Sequence, residues 1–325
     1  MDTPLFLGAQ QRDGRFVNRD GSGAPPFSRV FKWAVRDKLA GRRRRTPRRS
    51  PVESLESAHF PDGEPGVTWL GHSTLFIELD GVRLLTDPIF AASLTPRTPR
   101  NIPVLARADE LPGLDWVLLS HAHRDHLDRP SVLSLERRWR PHYAVPLGLD
   151  RFLRRWGIPA ERVVALDWGQ SVADLDDLGI TCLPARHWSQ RELGDRNRTL
   201  WCSFLVRRGG NRVYYVGDSA LDDVFAEIGD AYPGIDLALV PIGAYEPEDF
   251  MTHQHMTPEQ ALECFEGLAA KRMLSIHWGT YKLADEALDD PPQRLAAALA
   301  SKPYAERVLT LPQGSLVPLA DPKQP

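Results

Sequence analysis

The feature of this sequence that most constrains its fold is a set of polar side chains directly after an apolar segment. Residues 116–120, WVLLS, are almost continuously apolar, which is typical of a strand that is buried on both faces. The loop that follows, HAHRDH (121–126), contains nitrogen and oxygen donors that suit zinc or a similar ion. A buried strand that ends in such a loop predicts a layered α/β fold with a metal site at its strand ends.

The spacing within this loop favours two ions. His121 and His123 stand two residues apart at the strand exit and can point at one ion, whereas Asp125 and His126 on the next turn can reach a second. One loop cannot fill two coordination spheres, so further ligands must come from elsewhere in the chain. The candidates each close another apolar run, and they are His187 in ARHW, Asp218 in GDS and His277 in IHWG.

Short apolar runs separated by turn residues predict the remaining layers. The predicted strands are residues 67–70, 74–79, 82–87, 116–120, 142–145, 180–185, 200–208, 212–218, 236–242 and 272–277. The predicted helices are residues 129–139, residues 147–156 and a segment that begins after Thr257 and ends near Ala270. Asp80-Gly81 predicts a two-residue hairpin turn. Two strand-rich halves flanked by helices indicate an α/β sandwich.

Charge is distributed unevenly along the chain. Residues 1–60 hold 13 Lys and Arg against 6 Asp and Glu, so residues 61–325 carry a formal charge of −10, although the whole chain carries −3. An acidic body argues against a specific nucleic-acid partner. The chain is therefore predicted to comprise a basic, partly disordered N-terminal arm (1–60) and one domain (61–325).

The densest basic run of the arm is GRRRRTPRRSP (41–51). It fits a solvated tail, a patch for anionic lipid headgroups, or a site for another phosphate-rich polymer. The lipid interpretation rests on an attraction of about 1 kcal/mol per Lys or Arg near an anionic membrane surface. The sequence leaves these alternatives open, and it carries no signal for an oligomeric state.

The sequence predicts a cytoplasmic protein, with peripheral membrane contact as an extension of the lipid interpretation. No apolar run approaches the roughly 18 residues that a membrane-spanning helix needs. The N-terminus lacks the basic and then apolar pattern of a secretory signal. The cysteines Cys182, Cys202 and Cys264 form no CxxC pair, and a sparse, odd count favours a reducing compartment.

Taken together, the motifs resemble the metallo-β-lactamase superfamily. HAHRDH, ARHW, GDS and IHWG occur in that order, and the chain is most similar to the branch of phospholipases D that hydrolyse N-acylphosphatidylethanolamine. The closer resemblance covers about residues 60–290 and is carried by TWLGHSTLFIEL (68–79), ARHWSQR (185–191), LWCSF (200–204), PIGAYEP (241–247), QHMTPEQA (254–261) and IHWGTYKLADE (276–286). The resemblance implies an αββα four-layer sandwich, with two mixed β-sheets flanked by helices.

The resemblance also implies a dinuclear zinc centre, for which Mn²⁺ or Fe²⁺ are alternative ions. The first ion would be held by His121, His123 and His187, and the second by Asp125, His126 and His277, with Asp218 bridging both. The family commonly has Thr and Gly after the GD pair, whereas Ser219 and Ala220 stand here. That difference affects the neighbouring loop and leaves the Asp218 ligand in place.

The implied activity is a zinc-dependent phosphodiesterase reaction. A hydroxide shared by the two ions and oriented by Asp125 would cleave an N-acylphosphatidylethanolamine-like phospholipid to N-acylethanolamine and phosphatidic acid. The resemblance places Gln254 and His255 in the substrate pocket, with His255 as the second catalytic residue. The alternatives are a sugar-phosphate lactonase or a cyclic phosphodiester hydrolase of the same fold, and a non-catalytic lipid-binding module.

Several neighbours of these motifs have two interpretations. Asp87, in TDP, either braces a ligand histidine or closes a turn. His72 and Ser73 lie near the metals in such folds and are either structural or part of the site. Trp188, Trp278 and Tyr245 either line an apolar channel or belong to the core.

Overall fold

The strands and helices occupy most of residues 66–318 and continue into the N-terminal segment. The structure, a computed structural model, describes residues 6, 8–23, 27–37, 39, 47, 49–175 and 177–320. The strands are β1 (Gln11–Arg12), β2 (Arg15–Phe16), β3 (Gly66–Gly71), β4 (Thr74–Leu79), β5 (Val82–Thr86), β6 (Ser93–Thr95), β7 (Thr98–Pro99), β8 (Trp116–Leu118), β9 (His142–Pro146), β10 (Val163–Leu166), β11 (Ser171–Leu175), β12 (Leu178–Leu183), β13 (Ser203–Arg208), β14 (Asn211–Tyr215), β15 (Leu237–Pro241), β16 (Arg272–Ile276), β17 (Val308–Leu309) and β18 (Leu316–Pro318). The α-helices are α1 (Phe27–Phe31), α2 (Arg129–Trp139), α3 (Asp150–Arg155), α4 (Val224–Ala231), α5 (Glu248–Met251), α6 (Pro258–Leu268) and α7 (Asp290–Leu299), and a π-helical segment (Lys32–Asp37) follows α1.

Two mixed sheets of seven strands each form the centre of the fold. The first has the order β10-β9-β8-β5-β4-β3-β18, parallel from β10 to β5 and antiparallel from β5 to β18. The second has the order β11-β12-β13-β14-β15-β16-β17, antiparallel from β11 to β14 and parallel from β14 to β17. The two sheets therefore share one design, in which a parallel half adjoins an antiparallel half.

The sheets pack face to face, and helices cover both outer faces. In β4, Leu75 and Ile77 belong to the core cluster that contains Ile180 of the second sheet, whereas the intervening Phe76 packs with the cluster of α2 and α3. On the other side, α4 and α6 bury their apolar faces in the cluster of the second sheet, Phe265 among them. This is the predicted αββα four-layer sandwich, and the prediction is confirmed.

The hairpin between β4 and β5 forms where the sequence predicted it. Leu79 pairs with Val82, which leaves a two-residue turn. Asp80 has φ 44° and Gly81 has φ 81°. Both lie in the left-handed region that a type I′ turn requires, and Asp-Gly adopts it at little cost.

The sequence missed the four strands that form the edges of the sheets, which are β10, β11, β17 and β18. Edge strands are short and paired on one side only, so they lack the long apolar runs that indicate central strands. Helices α4 and α7 were also missed. Three predicted boundaries are wrong by three residues: the helix expected at 147–156 begins at Asp150, the strand expected at 200–208 begins at Ser203, and the strand expected at 212–218 ends at Tyr215. Residues 200–202 do not pair with β12, because the Leu200 and Cys202 amides donate to Leu147 and Ser120.

Part of the predicted N-terminal arm packs against the sandwich. Phe16 is buried in the main core, the Ala9 amide donates to Asp167 Oδ1 at 2.9 Å, and Arg19 forms an ion pair with Glu227 at 2.8 Å. The arginines of the basic run at 42–45 and Arg48 lie outside the described residues. Among the described residues, no helix has the length and apolarity that crossing a bilayer requires.

Helix α6 begins after Thr257, as the sequence predicted, with a capping box, and its first turn follows the loop that carries Gln254 and His255. Thr257 Oγ1 accepts from the Gln260 amide at 3.3 Å, and Gln260 Oε1 accepts from the Thr257 amide at 3.1 Å.

We expect Thr257→Ala to lower the free energy of unfolding by about 1 kcal/mol, because a helix N-terminal amide loses its acceptor. Urea unfolding measures this change. Thr257→Ser keeps the hydroxyl and should stay within a few tenths of wild type; equal stability of both variants would contradict the capping role.

Candidate metal centre

Seven side chains from four segments meet between the ends of the two sheets. Each segment follows a buried strand, so the backbone exit of that strand fixes where its side chain starts. His121, His123, Asp125 and His126 follow β8, His187 follows β12, Asp218 follows β14 and His277 follows β16. The structure thus brings together all seven residues that were expected to bind metal, and this set is called the metal centre below.

Three histidines form the first part of the metal centre. His121 Nε2 lies 2.8 Å from His123 Nδ1, and His187 Nε2 lies 3.3 Å from the same atom. Asp218 Oδ2 lies 3.8 Å from both His121 Nε2 and His187 Nε2. Three imidazole nitrogens and a carboxylate oxygen therefore face one small volume.

The second part lies on the other side of Asp218. His126 Nε2 is 3.1 Å from Asp218 Oδ2, and His277 Nε2 is 3.2 Å from Asp218 Oδ1. Asp125 Oδ2 is 3.4 Å from His126 Nε2 and 3.8 Å from His277 Nε2. Asp218 thus stands between the two parts, with one oxygen facing histidines of both.

The donor atoms of the centre fit a bound cation. His126 Nε2, His277 Nε2 and Asp218 Oδ1 are buried and have no hydrogen-bond partner. Buried polar atoms without a partner are costly, and native proteins pair almost all of them. Imidazole and carboxylate are also the ligand types that zinc and similar divalent ions prefer. A cation would satisfy these atoms together.

The pKa shifts of the histidines in the metal centre also fit a bound cation. Burial lowers the pKa of His187 to about 4 and that of His121 well below its usual value, so both rings are neutral and have a free lone pair. Burial opposes a charge on His126 as well, but the Asp218 and Asp125 carboxylates outweigh it and raise its pKa. Positive charge is therefore stabilised at this point of the structure.

A buried carboxylate outside the centre orients two of its rings. Asp87 Oδ2 accepts from His126 Nδ1 at 2.7 Å and from the Ser120 hydroxyl at 2.5 Å. Ser120 Oγ in turn lies 2.9 Å from His121 Nδ1. Tyr215 also donates its hydroxyl to Asp87 Oδ2 at 2.5 Å. Because both Nδ1 atoms are engaged, the Nε2 lone pairs of His121 and His126 face the centre. Of the two interpretations of Asp87, the structure shows the bracing contact.

Two residues at the metal centre have an unusual backbone conformation: His277, in its second part, and Asp87, which braces it from outside. His277 has φ 60° and Asp87 has φ 31°, a region that residues other than glycine seldom adopt. Gly243 packs against His277, because a Cβ on residue 243 would lie 2.3 Å from the His277 carbonyl oxygen. The backbone of His277 thus packs closely against a residue that has no side chain.

Asn18 contacts the centre although nothing in the sequence predicted it. Its side chain is buried, and Oδ1 accepts from the His187 amide at 3.1 Å and from Trp201 Nε1 at 3.1 Å. Its Nδ2 donates to Ser22 Oγ at 3.2 Å. The residue lies in the segment expected to be an arm, and only the folded chain reveals that this segment supports a ligand loop.

A cavity of about 540 Å³ opens from the metal centre to the surface. His123, Asp125, Asp218, Gln254 and His255 line its floor. Its walls are largely apolar and are formed by Trp33, Trp188, Leu193, Phe250, Met251, Ala244 and Leu283. Arg124, Gln190, Arg191 and Glu192 add polar groups. This cavity is called the pocket below.

The two residues expected to contact substrate lie beside the metal centre. His255 Nδ1 is 3.9 Å from Asp218 Oδ2 and has no hydrogen-bond partner. The Gln254 backbone carbonyl accepts from His187 Nδ1 at 2.8 Å, so this residue also orients a metal-centre ring. Both side chains line the pocket, where a substrate can reach them.

Of the three aromatic residues whose role was open, only Trp188 lines the pocket. Trp278 packs against Trp69 in the main core, with ring centroids 5.3 Å apart. Tyr245 is fully buried and donates its hydroxyl to Asp290. The last two therefore belong to the structural interpretation.

Known proteins are similar to this chain in sequence and in fold. Residues 82–278 match the family model described as a Beta-lactamase superfamily domain. An uncharacterized protein of Mycobacterium tuberculosis is 37% identical over 297 residues, covering 88% of this chain and 78% of that protein. N-acyl-phosphatidylethanolamine-hydrolyzing phospholipase D 1 of Caenorhabditis elegans is 36% identical over 285 residues, covering 80% and 78%. The solved structure of a metallo hydrolase from Ignicoccus hospitalis superposes with a TM-score of 0.59 at 24% identity, covering 78% of this chain and 97% of that one, and it shows the shared fold.

The contact between Asn18 and the His187 loop gives a prediction. Asn18→Ala leaves the buried His187 amide without an acceptor, which costs about 1–3 kcal/mol, whereas Trp201 Nε1 still donates to the Ala185 carbonyl at 2.9 Å. We therefore expect a loss of stability of about 1–3 kcal/mol, together with an affinity for divalent cations that is lower by about 10-fold or more, since the His187 loop loses its support. Urea unfolding and competition with a chelator measure the two effects.

Ser22→Ala is the matched control, because it removes the partner of Asn18 Nδ2 and leaves both contacts of Oδ1. It should bind cations with nearly wild-type affinity. Unchanged cation affinity in Asn18→Ala would show that the N-terminal segment does not support the centre.

Proposed function

Because this chain belongs to the metallo-β-lactamase superfamily and is a metal-dependent hydrolase, we propose that it is a dinuclear zinc phosphodiesterase that cleaves N-acylphosphatidylethanolamine-like phospholipids. In this reaction water adds to phosphorus and the bond from phosphorus to the ethanolamine oxygen breaks. The products are phosphatidic acid and an N-acylethanolamine. The ions are zinc in this proposal, with Mn²⁺ or Fe²⁺ as alternatives.

The observation that carries the substrate class is the composition of the pocket. Its floor is the metal centre, and its walls run outward along aromatic and aliphatic side chains to Leu193, which is fully exposed at the surface. A phospholipid has the matching order of groups, with a phosphodiester beside long apolar chains. The similarity to the C. elegans phospholipase supports the same class.

The charged residues at the pocket fit an anionic substrate. Arg124 is exposed, and both Arg124 and Arg191 line the pocket. Burial lowers the pKa of Arg191, and the nearby positive charge of Arg124 lowers it further. Two guanidinium groups that repel each other gain stability when an anion lies between them, and a phosphate is such an anion.

The residues of the metal centre have distinct roles in this proposal. His121, His123 and His187 would hold one ion, Asp125, His126 and His277 the other, and Asp218 both. Two bound divalent ions would lower the pKa of a water molecule and neutralise the phosphoryl oxygens. Asp125 orients the attacking water by accepting its hydrogen bond. Burial lowers the pKa of His255 well below its usual value, so this neutral ring donates a hydrogen bond to a phosphoryl oxygen or to the leaving group.

The alternatives fit the pocket less well. A sugar-phosphate lactonase or a cyclic phosphodiester hydrolase acts on a small polar substrate, which is best bound in a closed polar site. The walls of this pocket are largely apolar, and the pocket opens to the surface. A non-catalytic lipid-binding module would have no use for seven converging metal ligands.

The test is hydrolysis by the purified zinc-loaded chain. We expect release of phosphatidic acid from N-acylphosphatidylethanolamine in mixed micelles at a far higher rate than hydrolysis of a cyclic phosphodiester or a sugar lactone. Asp218→Asn should abolish turnover and reduce bound zinc towards one ion per chain, because a neutral amide compensates less charge than the carboxylate. Preferred hydrolysis of the small polar substrates would contradict the lipid assignment, and two tightly bound ions with normal rates in Asp218→Asn would contradict the bridging role.

We also propose that the basic run between residues 41 and 51 binds anionic lipid headgroups and so keeps the pocket near its substrate. The support is its charge, together with its position shortly after Trp33, which lines the pocket. A separate polyanion and a solvated tail are the competing interpretations. Because residues 8–23 pack against the sandwich, deletion of the N-terminus is a poor test and substitution is needed.

Replacement of Arg42, Arg43, Arg44 and Arg45 by Ala should weaken binding to vesicles that contain phosphatidylglycerol. The expected loss is about fivefold per arginine at low salt, from about 1 kcal/mol each, and smaller at high salt. The matched control replaces four exposed arginines of α2 and α3, which are Arg129, Arg137, Arg138 and Arg154. Turnover of a short-chain soluble phosphodiester should not change in either variant. Equal vesicle binding by wild type and the first variant would identify the run as a solvated tail.

A further inference from the structure

His72 lies against the second part of the metal centre, on the turn between β3 and β4. It is almost completely buried, and its ring packs against that of His277 with centroids 4.1 Å apart and the planes tilted by 36°. Its Nε2 lies 3.0 Å from Asp125 Oδ2. His72 is not one of the seven residues of the metal centre.

Hydrogen bonds also hold the backbone of His72 in place. The His72 carbonyl accepts from the His277 amide at 3.0 Å and from Trp69 Nε1 at 2.9 Å, and the His72 amide donates to Thr280 Oγ1 at 2.8 Å. These contacts connect the first sheet to the strand end that carries His277. They also fix a φ of 53°, which histidine seldom adopts. Such a conformation persists only where the surrounding structure enforces it.

Two functions are compatible with this position. His72, Asp125, His126 and His277 could form a four-ligand group, since their donor atoms lie within 4.8 Å of one another. However, an imidazole nitrogen at 3.0 Å from an ionised carboxylate oxygen carries a proton and donates it, so it has no lone pair for an ion.

We propose that His72 is a positioning residue: by donating its Nε2 proton to Asp125 Oδ2, it turns the Asp125 carboxylate towards the ion that His126 and His277 share. A carboxylate oxygen has two lone pairs, so one can accept this hydrogen bond while the other faces the ion. An outer partner of this kind changes metal affinity by about 10- to 100-fold. The inference rests on the two-ion centre proposed above and extends it to a residue outside the ligand set.

Three substitutions at this position separate the hydrogen bond from the backbone conformation. The amide nitrogen of His72→Gln can reach the place of Nε2, whereas that of His72→Asn reaches only the place of Nδ1. Asn tolerates a φ of 53° better than Gln does. If His72 acts through its hydrogen bond, Gln retains function and Asn loses it; if it acts through its backbone alone, the order is reversed. His72→Leu fills the space and donates nothing.

The experiment measures zinc affinity of the full chain by chelator competition, with thermal unfolding of the metal-free protein alongside. We expect His72→Leu and His72→Asn to bind the more weakly held ion about 10- to 100-fold less tightly than wild type, and His72→Gln to stay within about threefold. His142→Gln, at an exposed histidine on β9, is the control and should match wild type.

Each other result has a definite meaning. Wild-type zinc affinity in His72→Leu, or a better affinity in Asn than in Gln, overturns the positioning role and leaves the two-ion centre intact. Loss of affinity in all three variants, with metal-free unfolding unchanged, shows instead that His72 binds the ion directly. A wild-type chain that holds fewer than two ions contradicts the proposed function itself, and with it the role of His72.

Discussion

The structure depends most on the convergence of buried acceptor atoms around Asp218. Its carboxylate lies within 3.9 Å of nitrogens from five histidines, and three of those nitrogens have no hydrogen-bond partner. Such an arrangement is costly unless positive charge occupies it. Two mixed sheets supply the rigid strand ends that hold the ligands, and Asp87, Gln254 and Asn18 fix the orientation of rings and loops from outside. The fold therefore holds the side chains of one candidate cation-binding site in place.

The N-terminal segment adjoins both the metal centre and the pocket, where the proposed substrate chains lie. Asn18 supports the loop of His187, and Trp33, in the same segment, forms part of the pocket wall. The segment therefore contacts both the metal centre and the proposed path of the acyl chains. In the proposed function, charge at the floor selects the phosphodiester and the apolar walls select the chains attached to it.

Most of the fold and of the metal centre could be predicted from the sequence, because both rest on local patterns. Central strands such as β15 are continuous apolar runs, and candidate ligands such as His187 and His277 follow the ends of buried strands. The edge strands escaped because they are short and paired on one side. Asn18 escaped because its role depends on a contact across 169 residues of chain, and no local pattern records such a contact. For His72 the motif was visible, but only the folded chain shows the distance to Asp125.

Anomalous X-ray diffraction from zinc-loaded crystals, recorded at the zinc absorption edge, tests the central claim most directly. The account predicts two peaks roughly 3.5–4 Å apart, with Asp218 between them, one beside His121, His123 and His187 and the other beside Asp125, His126 and His277. A single peak held by His187, Asp218 and His255 would contradict it, as would zinc bound only outside these residues.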